Sequence, residues 1–184
     1  MHTINQQDMK ISDEEKQELE ELYQYYLNNE NIKKMDDIQM HRGSSCYIHS
    51  FRVAKRAVQI ATSTKRKYNL KNILVGAILH DYYLYDWRTN KALLKKHGKR
   101  HPFVANENAK KDFDISPEIS EIILSHMWPL TLKYYPHSRE AKLINYVDDI
   151  TATKEALTSR RYKKKHHQRY IKLISHLFES EKTK

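Results

Sequence analysis

Residues 73–87 read ILVGAILHDYYLYDW, and they place two ionisable side chains at the end of an uninterrupted apolar run. Such a run is typical of a helix that enters a hydrophobic core, and His80 follows Ile73 by seven residues, which places both on one helix face. Burying His80 and Asp81 in an apolar setting is costly unless each side chain has a hydrogen-bond or charge partner. A metal ion bound by both side chains would supply that partner.

The composition predicts a single helical domain over residues 1–184. A chain of this length can bury a sizeable core without cross-links, and its one cysteine, Cys46, favours a reducing compartment. No segment approaches the roughly 20 apolar residues that span a bilayer, and the N-terminus lacks the pattern of a secretory signal. We therefore expect a cytoplasmic protein without a membrane partner.

The low glycine and proline content predicts an all-α bundle of seven or eight helices. No segment alternates convincingly between apolar and polar residues, as a strand would. The sequence has 3 Gly and 4 Pro, too few to divide it into many short strands. Gly98 is expected to end one helix and Pro102 to begin the next. The predicted helices span 13–29, 47–67, 70–82, 89–97, a segment from Pro102, 117–127, 138–158 and 161–179. The candidate ligands lie within a core of residues 44–158, on which the first and last helices are expected to pack.

Several histidines and one aspartate lie on apolar stripes of these helices. His49 lies one turn from Val53, His126 follows Ile123 by three residues, and Asp148 follows Ile144 by four. A lone buried histidine is most often a neutral core residue bonded to a carbonyl. Several together favour one metal centre, which satisfies all of them at once. Imidazole and carboxylate donors suit Fe, Mn, Zn, Co or Ni better than Ca or Mg alone.

The order H49…H80-D81…D148 resembles the ligand order of the HD-domain metal-dependent phosphohydrolase superfamily. The stretches IHSFRVAKRAVQIA (48–61), ILVGAILHDYYLYDW (73–87) and INYVDDITATKEAL (144–157) are similar to its ligand helices, and the chain most resembles short, stand-alone bacterial members. The resemblance implies an all-α bundle in which His49, His80, Asp81 and Asp148 bind a first divalent metal. The resemblance and the apolar stripe both favour Asp148 over Asp149.

Two further histidines extend the resemblance to family members that bind two metals. KHGKRHPFVANENA (96–109) contains His101, and ISEIILSHMWPLT (119–131) contains His126. The resemblance implies that these two histidines complete a second site and that Asp81 bridges two metals. The cofactor is then one or two divalent ions, with Mg included among the candidates. His97 is the alternative to His101 if the register differs.

The implied activity is hydrolysis of a phosphomonoester or phosphodiester, with a nucleotide-like small molecule as the expected substrate. Asp81 would act at the reaction centre, and Arg52 and Arg100 are candidates for binding the phosphate. Leu84 occupies a position where some relatives carry Lys or Glu, so no proton donor can be taken from the family. Asp86 is the candidate donor; its alternative is a carboxylate at a helix end, bonded to backbone or to Arg88.

Two other functions remain open from the sequence. Di-iron HD relatives include oxygenases that cleave C–C or C–P bonds, and the same ligand set would serve them. The net charge of +10 and the basic stretch 160–169 would also suit a nucleic-acid-binding module with a structural metal, although a solvated helix face explains the stretch equally well. The sequence does not indicate the oligomeric state.

Overall fold

A computed structural model describes residues 11–41, 44–89 and 91–158 of the chain. These residues form an all-α bundle, as the sequence predicted, with one short β-hairpin. The α-helices are α1 (Asp13–Asn28), α2 (Glu30–Lys33), α3 (Cys46–Thr62), α4 (Leu70–Leu79), α5 (Lys91–Phe113), α6 (Pro117–Ser125) and α7 (Arg139–Thr158). The predicted helix 161–179 and the basic stretch 160–169 lie outside the described residues.

The predicted starts of α1 and α6 are confirmed by side-chain caps. The Ser12 hydroxyl accepts a hydrogen bond from the Glu15 backbone N–H at 3.1 Å, as a capping box requires. The Ser116 hydroxyl accepts from the Ile119 N–H at 3.3 Å, and a proline follows at the first helical position. Local chemistry therefore sets where these helices begin.

The expected break between Gly98 and Pro102 is wrong. Helix α5 runs through both residues, from Lys91 to Phe113, with Pro102 in its interior. An interior proline cannot donate to the carbonyl four residues earlier and costs a helix about 3 kcal/mol. Packing of α5 against α6 and of His97 against Trp87, whose rings stack 4.7 Å apart, offsets this cost. A prediction from Gly98 and Pro102 considers only neighbouring residues, and therefore cannot take these contacts between separate parts of the chain into account.

The segment between α1 and α3, for which the sequence predicts no element, contains α2, a 3₁₀ turn (Lys34–Asp37) and a hairpin of β1 (Gln39–His41) and β2 (Ser44–Ser45). The strands pair antiparallel, with Gln39 opposite Ser45. Ser45 then caps α3 by accepting from the Ile48 N–H at 3.3 Å. The hairpin thus sets the start of α3, and helix α3 ends at Thr62, earlier than predicted.

Helix α4 is the centre of the bundle, and every residue from Ile73 to Tyr83 is buried. It packs against α1, α3, α6 and α7. No helix among the described residues is both long enough and apolar enough to cross a membrane. Because α4 is surrounded by other helices, its C-terminal end lies where their buried faces converge.

Close approach of α4 and α6 depends on Gly76. A Cβ atom at this position would lie 2.7 Å from Cγ2 and 2.8 Å from Cδ1 of Ile122. We predict that Gly76→Ala lowers the free energy of unfolding by about 1–2 kcal/mol, since overpacking outweighs the gain in helix propensity. Urea unfolding followed by circular dichroism measures this change.

Gly98→Ala is the matched control, because its Cβ would meet only the end of the half-exposed Leu130 side chain. That side chain can move, so the control should match or exceed the wild-type free energy of unfolding. Equal stability of the two alanine variants would contradict the proposed role of Gly76.

Candidate metal centre

Five helices deliver the six predicted ligands to one buried position. His49 lies in α3, His101 in α5 and Asp148 in α7, while His80 and His126 are the C-caps of α4 and α6. Asp81 directly follows His80. All six side chains are buried, and the Asp148 side chain is the most exposed of them at 12%. The structure therefore brings together residues that are up to 99 positions apart in the chain.

Asp81 lies between two pairs of imidazoles. Its Oδ2 is 3.9 Å from Nε2 of His49 and 3.3 Å from Nε2 of His80. Its Oδ1 is 3.3 Å from Nε2 of His101 and 3.7 Å from Nε2 of His126. Each carboxylate oxygen thus faces its own histidine pair, which is the arrangement that a carboxylate bridging two ions requires.

Backbone carbonyls fix the tautomer of three of the imidazoles. Nδ1 of His80 donates to the Ala77 carbonyl at 2.7 Å, and Nδ1 of His126 donates to the Ile123 carbonyl at 2.6 Å. Nδ1 of His101 donates to the His97 carbonyl at 3.0 Å. With the proton held on Nδ1, a neutral ring directs the lone pair of Nε2 into the cluster, as metal-binding histidines do.

The inward-facing atoms lack the hydrogen bonds that buried polar groups require. Nε2 of His80 and both oxygens of Asp81 make no hydrogen bond with the described residues, although their ion-pair distances are short. Nε2 of His101 and Nε2 of His126 lie 2.8 Å apart, and because Nδ1 of each ring already donates to a carbonyl, a hydrogen bond between the two Nε2 atoms would need a second proton on one ring. A shared cation would resolve both features, because it would bind the donor atoms that lack a hydrogen bond and accept both Nε2 lone pairs.

His49 and Asp148 complete the side of the cluster that faces Oδ2 of Asp81. Oδ1 of Asp148 is 2.8 Å from Nε2 of His49 and 3.5 Å from Nε2 of His80. The next residue, Asp149, is exposed. The apolar stripe of α7 therefore identified the buried carboxylate of this adjacent pair, because residues four apart lie on one helix face.

The protein groups alone make this position attractive to positive charge. Burial disfavours the charged form of His49, but hydrogen bonds to Asp148 and Glu155 outweigh it and raise the pKa of His49 to about 9. Burial also opposes ionisation of Asp81, yet His80 and His101 hold the pKa of its carboxyl well below the usual range. Burial and the neighbouring His101 lower the pKa of His126 to about 3, so that ring is a neutral donor at pH 7.

Three overlapping groups of residues present donor atoms close enough to share an ion. These groups are His49, His80 and Asp81; His80, His126 and Asp148; and Asp81, His101 and His126. The unpaired inward-facing atoms and the mixed imidazole and carboxylate donors fit a divalent transition metal. The six residues would hold one ion, or two with Asp81 shared.

The other predicted site residues lie around this cluster in different settings. Arg52 donates to Glu155 at 2.6 Å and to the Ser44 hydroxyl at 3.2 Å, and Arg100 is exposed on α5. Asp86 is exposed and accepts a hydrogen bond from the Arg88 backbone N–H at 2.9 Å. Phosphate binding by the two arginines and proton donation by Asp86 stay predictions.

His97, the alternative ligand, lies behind His101 and not in the cluster. Its Nδ1 is 2.9 Å from the Tyr85 hydroxyl, and its ring stacks between those of Trp87 and His101 at 4.7 and 4.6 Å. Of His97 and His101, it is His101 that lies beside Asp81, with its Nε2 3.3 Å from Oδ1.

Sequence reasoning missed Glu155. This buried carboxylate lies 3.1 Å from Nδ1 of His49, on the side of the ring opposite to Asp148. Glu155 follows Asp148 by seven residues, and two helical turns place both on one face of α7. Extending the stripe of Ile144 and Asp148 by two turns would have found it.

Comparison with known proteins gives one family. The family model of the HD domain matches residues 46–153, a segment that contains all six candidate ligands. Neither the curated proteins nor the solved structures include a match.

The adjacent aspartates of α7 provide a matched test of the metal centre. We predict that Mn²⁺ added to chelator-treated protein raises the melting temperature, since a ligand at about 100 times its Kd stabilises the folded state by about 2.7 kcal/mol. Asp148→Asn should remove most of this shift because the amide replaces a carboxylate oxygen that faces His49 and His80. Differential scanning calorimetry with and without Mn²⁺ measures it.

Asp149→Asn is the control and should keep the full Mn²⁺-dependent shift, because Asp149 is exposed on the same helix. An equal loss in both variants, or no shift in the wild-type protein, would argue against ligation by Asp148.

Proposed function

Because this chain belongs to the HD-domain family, as its sequence predicted, we propose that it is a metal-dependent phosphohydrolase that cleaves a phosphomonoester or phosphodiester bond. The observation that supports this proposal most strongly is the position of Asp81, whose two oxygens face two separate histidine pairs. A carboxylate in this position can bridge two ions a few ångströms apart, with one oxygen bound to each. Pairs of ions at about 3.5–4 Å are typical of enzymes that transfer phosphoryl groups.

Divalent ions at this site would supply Lewis acidity to a phosphoryl oxygen and to the attacking water. The chain itself orients the donors: the Ala77, His97 and Ile123 carbonyls hold His80, His101 and His126 in the tautomer that leaves Nε2 free. Burial of these rings limits competing water and strengthens electrostatic interactions within the site. Water then replaces the alcohol on phosphorus, and the products are an alcohol and a phosphate.

A nucleotide-like small molecule is the substrate that we propose. The net charge of +10 favours the approach of anionic substrates in general. Tyr82 and Tyr83 are 0% and 1% exposed, so these two tyrosines belong to the core and cannot stack on a base. The partly buried Trp128 is better placed for such a contact than Trp87, whose ring already stacks on His97 and lies under Arg88. Arg100, which is exposed just before His101, remains the candidate for a charge contact with phosphate.

The same donor set would also serve a di-iron oxygenase, and the requirement for dioxygen separates the two reactions. Hydrolysis proceeds without dioxygen, whereas an oxygenase has no turnover in its absence. A nucleic-acid-binding module with a structural metal would instead show salt-dependent binding that survives loss of the ligands. Its basic stretch lies outside the described residues.

We predict that Mn²⁺-loaded protein releases inorganic phosphate or a nucleoside monophosphate from a panel of nucleotides under strictly anaerobic conditions. Hydrolysis in ¹⁸O-labelled water should place the label in the phosphate product, because the water oxygen becomes bonded to phosphorus. Asp81→Asn should lower turnover by more than the roughly 10–100-fold that loss of a residue behind a ligand costs. Mass spectrometry of the product measures both quantities.

Tyr146→Phe is the control for the Asp81 variant, because Tyr146 is exposed on α7 and should leave turnover unchanged. Turnover that appears only in air, or nucleotide hydrolysis that survives Asp81→Asn, would refute the proposed reaction.

A further inference from the structure

Glu155 is a buried carboxylate that contacts a candidate ligand but does not face the cluster. Its Oε2 lies 3.1 Å from Nδ1 of His49, and its Oε1 accepts from Nη1 of Arg52 at 2.6 Å. The Glu155 side chain is 9% exposed. A carboxylate this deeply buried is costly unless both of its oxygens are paired, and here they are.

The partner of Nδ1 differs between His49 and the other three imidazoles. Nδ1 of His80, of His101 and of His126 each lies against a backbone carbonyl three or four residues earlier in its own helix. Nδ1 of His49, near the start of α3, lies 3.1 Å from a side chain of another helix, Glu155 of α7. Glu155 therefore takes the place that a backbone carbonyl has at the other three rings.

Arg52 holds Glu155 in turn. It lies three residues after His49 on α3, so its guanidinium reaches the same side of α7. Its Nη1 also donates to the hydroxyl of Ser44, at the start of the short β2 strand, at 3.2 Å. These contacts form a continuous chain from the hairpin through Arg52 and Glu155 to His49.

We propose that Glu155 is a positioning residue for the metal centre: it holds the Nδ1 proton of His49 so that Nε2 is free to bind metal. Arg52 acts through Glu155, by pairing with that carboxylate and orienting it, and does not bind substrate. This inference rests on the proposed metal centre, but it concerns metal affinity and stands independently of which bond the protein cleaves. It replaces the role that the sequence predicted for Arg52.

The test is the affinity of chelator-treated full-length protein for Mn²⁺, measured by isothermal titration calorimetry. Glu155→Gln should weaken Mn²⁺ binding about 10–100-fold, the range found when residues behind metal ligands are replaced. Arg52→Met should weaken it several-fold, and Arg52→Lys, which keeps the charge, should recover most of the loss. Arg52→Met added to Glu155→Gln should change the affinity less than about twofold further, because both act through one contact.

Two controls separate positioning from general damage to the fold. Asp149→Asn removes an exposed carboxylate of α7, and Arg56→Met removes a cation one turn further along α3; both should leave Mn²⁺ affinity unchanged. In a His49→Ala background, Glu155→Gln should have no further effect on the residual affinity, since no imidazole remains to be positioned. If Glu155→Gln does not fold by circular dichroism, the Arg52→Met and Arg52→Lys pair carries the test.

The outcomes distinguish this inference from the proposed function. A folded Glu155→Gln protein with wild-type Mn²⁺ affinity would overturn the inference and leave the hydrolase untouched. So would an Arg52→Met protein with normal Mn²⁺ affinity and a raised KM at saturating Mn²⁺, because that result identifies a substrate ligand. Weakened Mn²⁺ binding in a protein that hydrolyses no phosphate ester would support the inference while the proposed function fails.

Discussion

The burial of Asp81 among four imidazoles is the constraint on which the rest of the site depends. Its two oxygens make no hydrogen bond with the described residues, and histidine nitrogens surround them at 3.3–3.9 Å. Burying a carboxylate whose oxygens make no hydrogen bond costs several kcal/mol in desolvation. A cation bound there would turn this cost into a stabilising interaction, and the chemistry of the site would then be linked to the integrity of the core.

The helices solve the problem of orienting these donors in two ways. His80 and His126 cap α4 and α6, and there the free carbonyls of the last helical turn fix the rings without any additional side chain. His49 lies inside a helix, and a buried glutamate takes over the same task. One requirement, an Nδ1 proton held away from the candidate metal position, is therefore met by a backbone carbonyl at His80, His101 and His126 and by a side chain at His49.

Helix α5 illustrates how the site and the fold influence each other. The ring of His97 stacks on Trp87 and His101, and its carbonyl accepts the Nδ1 proton of His101. These contacts need a helical backbone from His97 through His101, directly before Pro102. The continuity of α5 through Pro102 thus positions a candidate ligand. The lost helical hydrogen bond disfavours this helix locally, so the helix depends on its tertiary contacts.

Local patterns in the sequence determined the helical class, the caps at Ser12 and Ser116, and the inward direction of His49, His80, His126 and Asp148. These follow from hydrogen bonds within a few residues and from a period of 3.6, both of which can be read along a chain. Tertiary structure alone decided that α5 continues through Gly98 and Pro102 and that Arg52 pairs with Glu155, whereas the meeting of the six side chains was implied by the family resemblance. Those outcomes depend on contacts between residues up to 103 positions apart, and their free energy can outweigh any local signal.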